Sequence, residues 1–434
     1  MYTILLSGGS GKRLWPLSNA ARSKQYIRFL ADKQTGKPCS MVQRMWGQLK
    51  KAGLTQNCVI CAGGCQEEIL RSQLGSVNVA VEPEGHDTFP AVALSCTYLK
   101  NRMKAGDDDI VCILPADSYT DQSYFEALKH MPAVLSQSGA QIVLMGVIPT
   151  SPSENYGYIL PKCRVNGYLR VEGFVEKPNT VMAKELLKKG ALWNGGVFCL
   201  RIGTVLDELV RNGLPCDYDA LCRNYQKLPA VSFDYAVLEK CNDLAAVVFD
   251  GMWKDIGTWS AVSKILDNTA QGNCLIDPSC RNVCVINETN IPVVTIDTHE
   301  LMIIASTDGI LVTDNQSDLR LKQAVSALPP RPTFEERSWG TATVLDFCCS
   351  GEIGYLIKRL LVRAGKGFGP QCEELDGSMT VLEGNGKITL GEEEKTLLPG
   401  RCFQIPKGKT YCLHAGENLL MIQTQIWPKT SCFY

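Results

Sequence analysis

The chain has 434 residues, Lys+Arg 44 against Asp+Glu 45 for a formal net charge of −1, and 45% hydrophobic residues. That balance excludes a polybasic nucleic-acid binder and an acidic disordered tail, and no apolar run reaches the roughly 18–20 residues of a membrane span. At roughly 100–200 residues per domain the length predicts about two to four domains.

The first 265 residues alternate strands and helices. Residues 2–6 read as a short apolar strand that runs into a Gly-rich turn. Residues 57–62, 110–114, 141–146 and 171–175 read as further strands, with helical periodicity over 89–103 and 124–136 between them. Alternation of this kind predicts a mostly parallel sheet covered on both faces, with ligands beyond the carboxyl ends of its strands. From about Gly272 the pattern changes to short β segments at 283–286, 293–296, 302–305 and 309–312, a spacing that suits small stacked β coils. A helix over 317–328 and the breaker Pro329-Pro330-Arg331-Pro332 follow. Residues 333–434 hold short strands at 355–362, 378–382, 387–390, 402–405 and 419–424, punctuated by glycines, which predicts a small antiparallel barrel.

The N-terminus lacks a basic n-region and a cleavage site, so no signal peptide is expected and the setting is read as cytoplasmic. The 20 cysteines are then expected to be reduced thiols, many of them small core residues. Cys58, Cys61 and Cys65 form C-x₂-C-x₃-C, but a metal site needs a fourth soft ligand and no second C-x₂-C is present, so plain thiols are expected there too.

Leu6-Ser7-Gly8-Gly9-Ser10-Gly11-Lys12-Arg13 puts three glycines after a strand and a basic pair next. Glycines let backbone N–H groups approach phosphate oxygens, and the cations supply charge. The spacing fits neither a P-loop nor a dinucleotide fingerprint, which leaves a different phosphate loop or an unliganded turn. Asp117 ends the strand at 110–114 and Asp255 lies in Trp253-Lys254-Asp255-Ile256-Gly257-Thr258-Trp259; each is a candidate Mg²⁺ ligand or a turn residue. Glu176-Lys177-Pro178 follows a strand as a candidate site or a surface pair, and Asn194 in Trp193-Asn194-Gly195-Gly196 suits a sugar hydroxyl or a turn.

In this order the motifs resemble the bacterial mannose-1-phosphate guanylyltransferases. The resemblance runs from Leu5–Asn19 and Ser23-Lys24-Gln25-Tyr26 through Val81-Glu82-Pro83, Pro115-Ala116-Asp117, Gly157-Tyr158-Ile159, Phe174–Pro178, Trp193-Asn194 and Phe233–Glu239 to Trp253–Trp259. It implies a Rossmann-like nucleotidyltransferase domain over 1–265, with a mixed, mostly parallel sheet. A small, left-handed β-helix-like segment and helix over 266–330 and a degenerate cupin-like barrel over 331–434 complete the chain. The implied reaction makes GDP-mannose from GTP and α-D-mannose 1-phosphate. The implied nucleotide contacts are Leu6, Gly8, Gly9, Gly11, Arg13, Lys24, Glu82, Asp87, Thr88 and Asp117. Arg13 and Lys24 would act at the α-phosphate, and Asp117 and Asp255 would hold Mg²⁺. Gly157, Glu176 and Asn194 would contact the sugar and Lys177 its phosphate. The expected assembly is a homo-oligomer, a dimer, with no nucleic-acid or membrane partner.

Three stretches depart from the family pattern: Ser23 for Pro, His86-Asp87-Thr88-Phe89-Pro90 for Arg-Asn-Thr-Ala-Pro, and Ser118 for His. The alternatives are the same chemistry with another sugar 1-phosphate, such as a heptose, or another NTP, and a regulatory sugar-nucleotide-binding pseudo-enzyme. Intact Arg13, Lys24, Asp117, Lys177 and Asp255 argue against the last. Through Arg337-Ser338-Trp339-Gly340, Ile357-Lys358-Arg359 and Ile405-Pro406-Lys407-Gly408 the barrel resembles a phosphomannose isomerase domain, yet the positions matched to its metal ligands are Cys372, Glu374, Gly377 and Tyr411, with His414 three residues further on. No isomerase metal is therefore expected. The barrel is expected to contribute packing, and its removal is expected to leave nucleotidyl transfer measurable.

Overall fold

A computed structural model describes residues 1–9, 12–19, 21–32, 35–266, 269–314, 318–329, 331–349 and 353–428. Gly11, Ser317 and Pro330 lie outside the described residues. The chain divides into two compact units, Met1–Gly9 with Leu30–Glu67 and Ser76–Ile256, and Ser10–Phe29 with Glu68–Gly75 and Gly257–Tyr434.

The first unit is built on a nine-stranded sheet in the order Asn78–Glu82, Cys58–Gly63, Tyr2–Leu6, Ile110–Pro115, Leu192–Arg201, Ile142–Val147, Leu244–Phe249, Tyr168–Val175, Tyr158–Val165. The strands around Tyr2–Leu6 pair in parallel, as does Ile142–Val147 with Leu244–Phe249. Leu192–Arg201 runs antiparallel to both of its central neighbours, and the hairpin of Tyr158–Val165 and Tyr168–Val175 closes the far edge. The sheet is mixed, with its parallel half where the βα alternation predicts it. Ile142–Val147 is buried at every position, as a strand covered on both faces must be. Helix Thr88–Arg102 is apolar nearly all round and buries Phe89, Val92, Leu94, Cys96 and Leu99 in the core. Cys58 and Cys61 lie in the Cys58–Gly63 strand, where burial pushes the Cys58 thiol up to about 12 and the Cys61 thiol well above its ordinary value, as inert core thiols require.

In the second unit Cys284–Asn287 pairs in parallel with Ala270–Gly272 and with Leu301–Ser306, while Cys274–Ile276 pairs in parallel with Val293–Thr295. Successive short strands thus go to alternate sheets, which is how a β coil stacks. Gly272 has φ +88°, and a Cβ there would come 1.9 Å from the Asn287 carbonyl oxygen, so this turn admits only glycine. Buried Asn287 ties adjacent turns by donating to the Asn273 and Ile291 carbonyls at 2.8 and 2.7 Å. Helix Asp318–Ser326 follows.

The C-terminal region is a cupin-like barrel of two antiparallel sheets. One contains Ile353–Val362, Leu419–Pro428 and Asp376–Glu383, and the other Gly367–Cys372, Thr410–Ala415 and Gly386–Leu390. Their inward alternation builds one core around Met379, Val381, Ile388, Leu413 and Met421. Among the described residues no helix is long and apolar enough to cross a membrane.

Candidate active site

The parallel strands of the first unit end together, and their carboxyl ends carry the first cluster. Leu6 pairs with Cys61 on one side and Pro115 on the other, and its carbonyl accepts from the Ala116 amide at 2.9 Å. Gly8 follows at a place where a Cβ would come 2.9 Å from Glu82 Oε2. Gly9 has φ +104°, and its carbonyl accepts from Gln66 Nε2 at 3.2 Å. The backbone of this turn is therefore exposed and held from below.

Glu82 ends the Asn78–Glu82 strand, is buried, and accepts from the Tyr225 hydroxyl at 2.7 Å. Burial raises its pKa, with the hydroxyl of Tyr225 and the thiol of Cys61 offsetting part of that. Asp87 and Thr88 serve the fold where they stand. The Asp87 carboxylate caps helix Thr88–Arg102 by accepting from the Thr88 amide, and Thr88 Oγ1 accepts from the Phe233 amide at 2.8 Å. His86 packs 5.4 Å from the Tyr225 ring and lies 3.3 Å from Glu84.

Asp117 follows strand Ile110–Pro115 and precedes Ser118–Thr120. Ser118–Thr120 pairs antiparallel with Trp253–Asp255, and the register sets Asp255 opposite Ser118. Two carboxylates 138 positions apart in sequence thereby become backbone neighbours. Among the described residues no group of three His, Cys, Asp or Glu is arranged to hold a metal. Two carboxylates fit a hard cation that takes its other ligands from phosphate and water, which is how Mg²⁺ is commonly held.

Gly157, Glu176, Lys177 and Asn194 converge at the antiparallel half of the sheet. Gly157 precedes Tyr158–Val165, Glu176 follows Tyr168–Val175, and the pairing of Val175 with Tyr158 brings them together. The Asn194 amide donates to the Gly157 carbonyl at 2.8 Å. A Cβ at Gly157 would stand 2.5 Å from Glu176 Oε2 and 2.7 Å from Phe174, so the carboxylate fills the space that glycine leaves. Glu176 is 6% exposed and pairs at 2.8 Å with Lys177, which is 58% exposed. Lys177 has φ +43° directly before Pro178, a sparsely populated conformation of the kind that gathers at functional sites. Asn194 Nδ2 donates to Asp234 Oδ1 at 2.7 Å, and Asn194 Oδ1 accepts from the Gly196 amide at 3.1 Å.

Asp234, on the short helix Phe233–Ala236, is not a site residue by sequence reasoning, although it lies within the Phe233–Glu239 motif. Burial, and then the Glu176 carboxylate, raise its pKa to about 6. An aromatic trio was also missed. The Tyr156 ring centre lies 4.8 Å from that of Trp193, tilted, and 5.3 Å from that of Trp253, edge-on, and the indole N–H groups of both tryptophans are buried without a partner among the described residues. Tyr156 and Trp193 directly precede Gly157 and Asn194, and Trp253 lies two residues before Asp255, so the ring contacts connect these three segments. The signal available in sequence was the repeated placing of an aromatic beside each motif.

Arg13 and Lys24 belong to the second unit, on the short helices Lys12–Leu14 and Lys24–Tyr26. Arg13 is exposed and Lys24 half-buried.

The sequence pattern of the family described as Nucleotidyl transferase matches residues 2–272. The chain belongs to the nucleotidyl transferase family. This nucleotidyl transferase is 28% identical to a mannose-1-phosphate guanylyltransferase of Escherichia coli (strain K12), over 95% of this chain and 92% of that protein. It is 29% identical to the xanthan biosynthesis protein XanB of Xanthomonas campestris pv. campestris, over 94% of this chain and 91% of that one. A crystal structure from Thermus thermophilus, described as a mannose-1-phosphate geranyltransferase, superposes with a TM-score of 0.62 at 29% identity. It covers 75% of this chain and 98% of that one.

In the barrel, sequence matching selects Glu374, but Glu374 is exposed and Glu373 takes the interior place. Its carboxylate accepts from the Tyr411 hydroxyl at 2.8 Å, Gln423 Nε2 at 3.1 Å and Gln425 Nε2 at 2.7 Å. Cys372 is exposed. Burial, and then Glu373, raise the Tyr411 phenol far above neutrality, which makes it a poor metal ligand. The purified protein should hold no stoichiometric zinc in this region and should not interconvert mannose 6-phosphate and fructose 6-phosphate. Bound zinc lost together with isomerase activity in Cys372→Ala would refute this.

Proposed function

We propose that the chain makes GDP-mannose and pyrophosphate from GTP and α-D-mannose 1-phosphate, as a mannose-1-phosphate guanylyltransferase. A phosphate oxygen of the sugar phosphate attacks the α-phosphorus of the nucleotide, and the bond to the bridging oxygen of the β-phosphate breaks in line. Pyrophosphate leaves with the electron pair. The nucleophile is already an anion, so no strong general base is required, and positioning and charge stabilisation carry the rate. Gly8 and Gly9 expose backbone to the nucleotide, with Leu6, Gly11, Glu82, Asp87 and Thr88 around it. Arg13 and Lys24 offset charge at the α-phosphate. Asp117 and Asp255 would hold Mg²⁺, which when bound supplies further positive charge to the phosphates. Gly157, Glu176 and Asn194 meet the sugar hydroxyls, and Lys177 meets the sugar's phosphate.

The observation that carries this reading is the convergence of Gly157, Glu176, Lys177 and Asn194 on one end of the nine-stranded sheet, whose strand Ile110–Pro115 leads into Asp117 and the separate two-stranded ladder that sets Asp255 opposite Ser118. A panel of the common NTPs against several sugar 1-phosphates, with pyrophosphate release as readout, tests it. GTP with mannose 1-phosphate should give the highest kcat/KM, and a heptose 1-phosphate or another base in first place would replace it. The free thiols among the described residues support a reducing, cytoplasmic setting. Ile291, Val294, Ile296, Ile310 and Val312, all more than half exposed on the β-coil region, support a homodimer, which light scattering of the eluted protein would measure.

Asp234 gives the site a pH dependence. Its folded pKa of about 6 stands above the ordinary carboxyl value of 3.8, so the folded state holds this proton more tightly. The associated stability, no more than about 3 kcal/mol, is present below about pH 4 and lost as pH rises through about 6. Asp234→Asn keeps an acceptor for Asn194 and removes the titration. Between pH 5 and 7 wild type should lose thermal stability relative to the variant, and parallel curves of Tm against pH would exclude the assignment.

A further inference from the structure

The segment 12–29, which carries Arg13 and Lys24, is pinned within the second unit at almost every turn. Trp259 Nε1 donates to the Trp15 carbonyl at 2.8 Å and Ser306 Oγ to the Pro16 carbonyl at 3.0 Å. Asn19 Nδ2 donates to Asp308 Oδ2 at 2.8 Å and to the Phe334 carbonyl at 2.9 Å, while the Phe334 amide donates back to Asp308 Oδ1 at 2.7 Å. Buried Arg22 forms a bidentate pair with Glu288 at 3.2 and 2.8 Å and lies 4.4 Å above the Phe334 ring. At the end of the segment Arg28 forms a second bidentate pair, at 3.0 and 2.6 Å, with Glu336. The Glu336 side chain is fully buried, and Arg363 approaches the same carboxylate at 3.5 Å.

These partners come from four places: the helix Trp259–Leu266 (Trp259), the coil (Glu288, Ser306, Asp308), the linker beyond it (Phe334) and the barrel's entering strand Glu335–Arg337. Bidentate Arg–carboxylate pairs fix direction as well as distance. Buried Asp308 and Glu336 have no water to fall back on, so each demands its partner in place. A segment needed only to link two strands would not require two forks and a shared carboxylate.

We infer that the coil and the barrel's first strand are a positioning device for nucleotidyl transfer, with Asp308 and Glu336 as positioning residues that hold the segment of Arg13 and Lys24 in working register. The inference rests on the reading that Arg13 and Lys24 act at the nucleotide. It adds to the expectation that the barrel contributes packing: transfer without the barrel should be slowed, though still measurable.

The test measures kcat and both KM values for Asp308→Asn, Glu336→Gln, Arg28→Ala and Arg28→Lys in the full chain, beside Arg13→Ala and Lys24→Ala. Arg28 is half-exposed, and its removal leaves Glu336 paired with Arg363, so Arg28→Ala serves if Glu336→Gln fails to fold. The anchor variants should lose about tenfold or more in kcat with the KM for sugar phosphate within about twofold, and Arg28→Lys should recover part of the loss. Glu373→Gln, which loosens the barrel core away from the anchor, should keep kcat within about twofold of wild type. Near wild-type turnover in Arg28→Ala and Asp308→Asn beside inactive Arg13→Ala overturns the inference alone, as does an equal loss in Glu373→Gln. Near wild-type turnover in Arg13→Ala and Lys24→Ala removes the site reading and this inference with it.

Discussion

Asp255→Asn should lower turnover by about 100-fold or more while leaving the fold nearly unchanged. The carboxylate sits at the end of the short Trp253–Asp255 strand, opposite Ser118, where its backbone is fixed by the ladder whatever the side chain carries. An amide of the same shape keeps the packing and removes the negative charge. On the proposal that Asp117 and Asp255 hold Mg²⁺, and with no group of three His, Cys, Asp or Glu arranged to hold a metal among the described residues, loss of one carboxylate would leave the cation half its protein ligands. Added Mg²⁺ should recover little of the rate. Unaltered turnover at saturating Mg²⁺, with an unchanged melting temperature, would show that Asp255 is not a ligand.

Lys177→Ala should raise the KM for the sugar 1-phosphate by about 10- to 100-fold, the scale of a charge-assisted hydrogen bond to phosphate, with a far smaller change in the KM for the nucleotide. Partial burial works against the ammonium, but the hydrogen bond and charge of Glu176, with Asp234 and Tyr235 behind it, outweigh that and raise the pKa. Lys177 therefore stays cationic at neutral pH while remaining 58% exposed, ready to meet an incoming anion. On the proposed reading the Glu176 side chain, 6% exposed, would be left to meet sugar hydroxyls. Equal changes in the two KM values would place Lys177 elsewhere in the reaction.

Most of the architecture is legible in the sequence because its signals are local. Apolar runs ending in Gly or Asp mark the parallel strands Tyr2–Leu6, Cys58–Gly63 and Ile110–Pro115 to within a residue or so of their observed bounds. The change of rhythm at Gly272 coincides with the first coil strand, Ala270–Gly272, and the strand Glu335–Arg337 begins shortly after Pro332. Glycines at fixed offsets from strand ends pick out the backbone turns, and at Gly157 the reason is visible as a carboxylate occupying the place of a Cβ.

What sequence could not supply was pairing across distance. The antiparallel insertion of Leu192–Arg201 depends on which strand edges are free after the others have paired, and no local pattern encodes that. The same holds for Asp117 with Asp255, which only a ladder register makes neighbours, and for Asp234, whose raised pKa comes from burial beside Glu176 rather than from its own residue type. In the barrel, adjacent Glu373 and Glu374 are indistinguishable in sequence, and packing against Tyr411, Gln423 and Gln425 chose Glu373. By itself the sequence determined the family, the order of the elements and the residue types the chemistry needs, because periodicity, turn residues and motif spacing are written along the chain. Only the tertiary structure decided which charges meet and which are buried, and that the segment bearing Arg13 and Lys24 packs with the coil and barrel, because buried ion pairs such as Arg28–Glu336 join residues 308 positions apart.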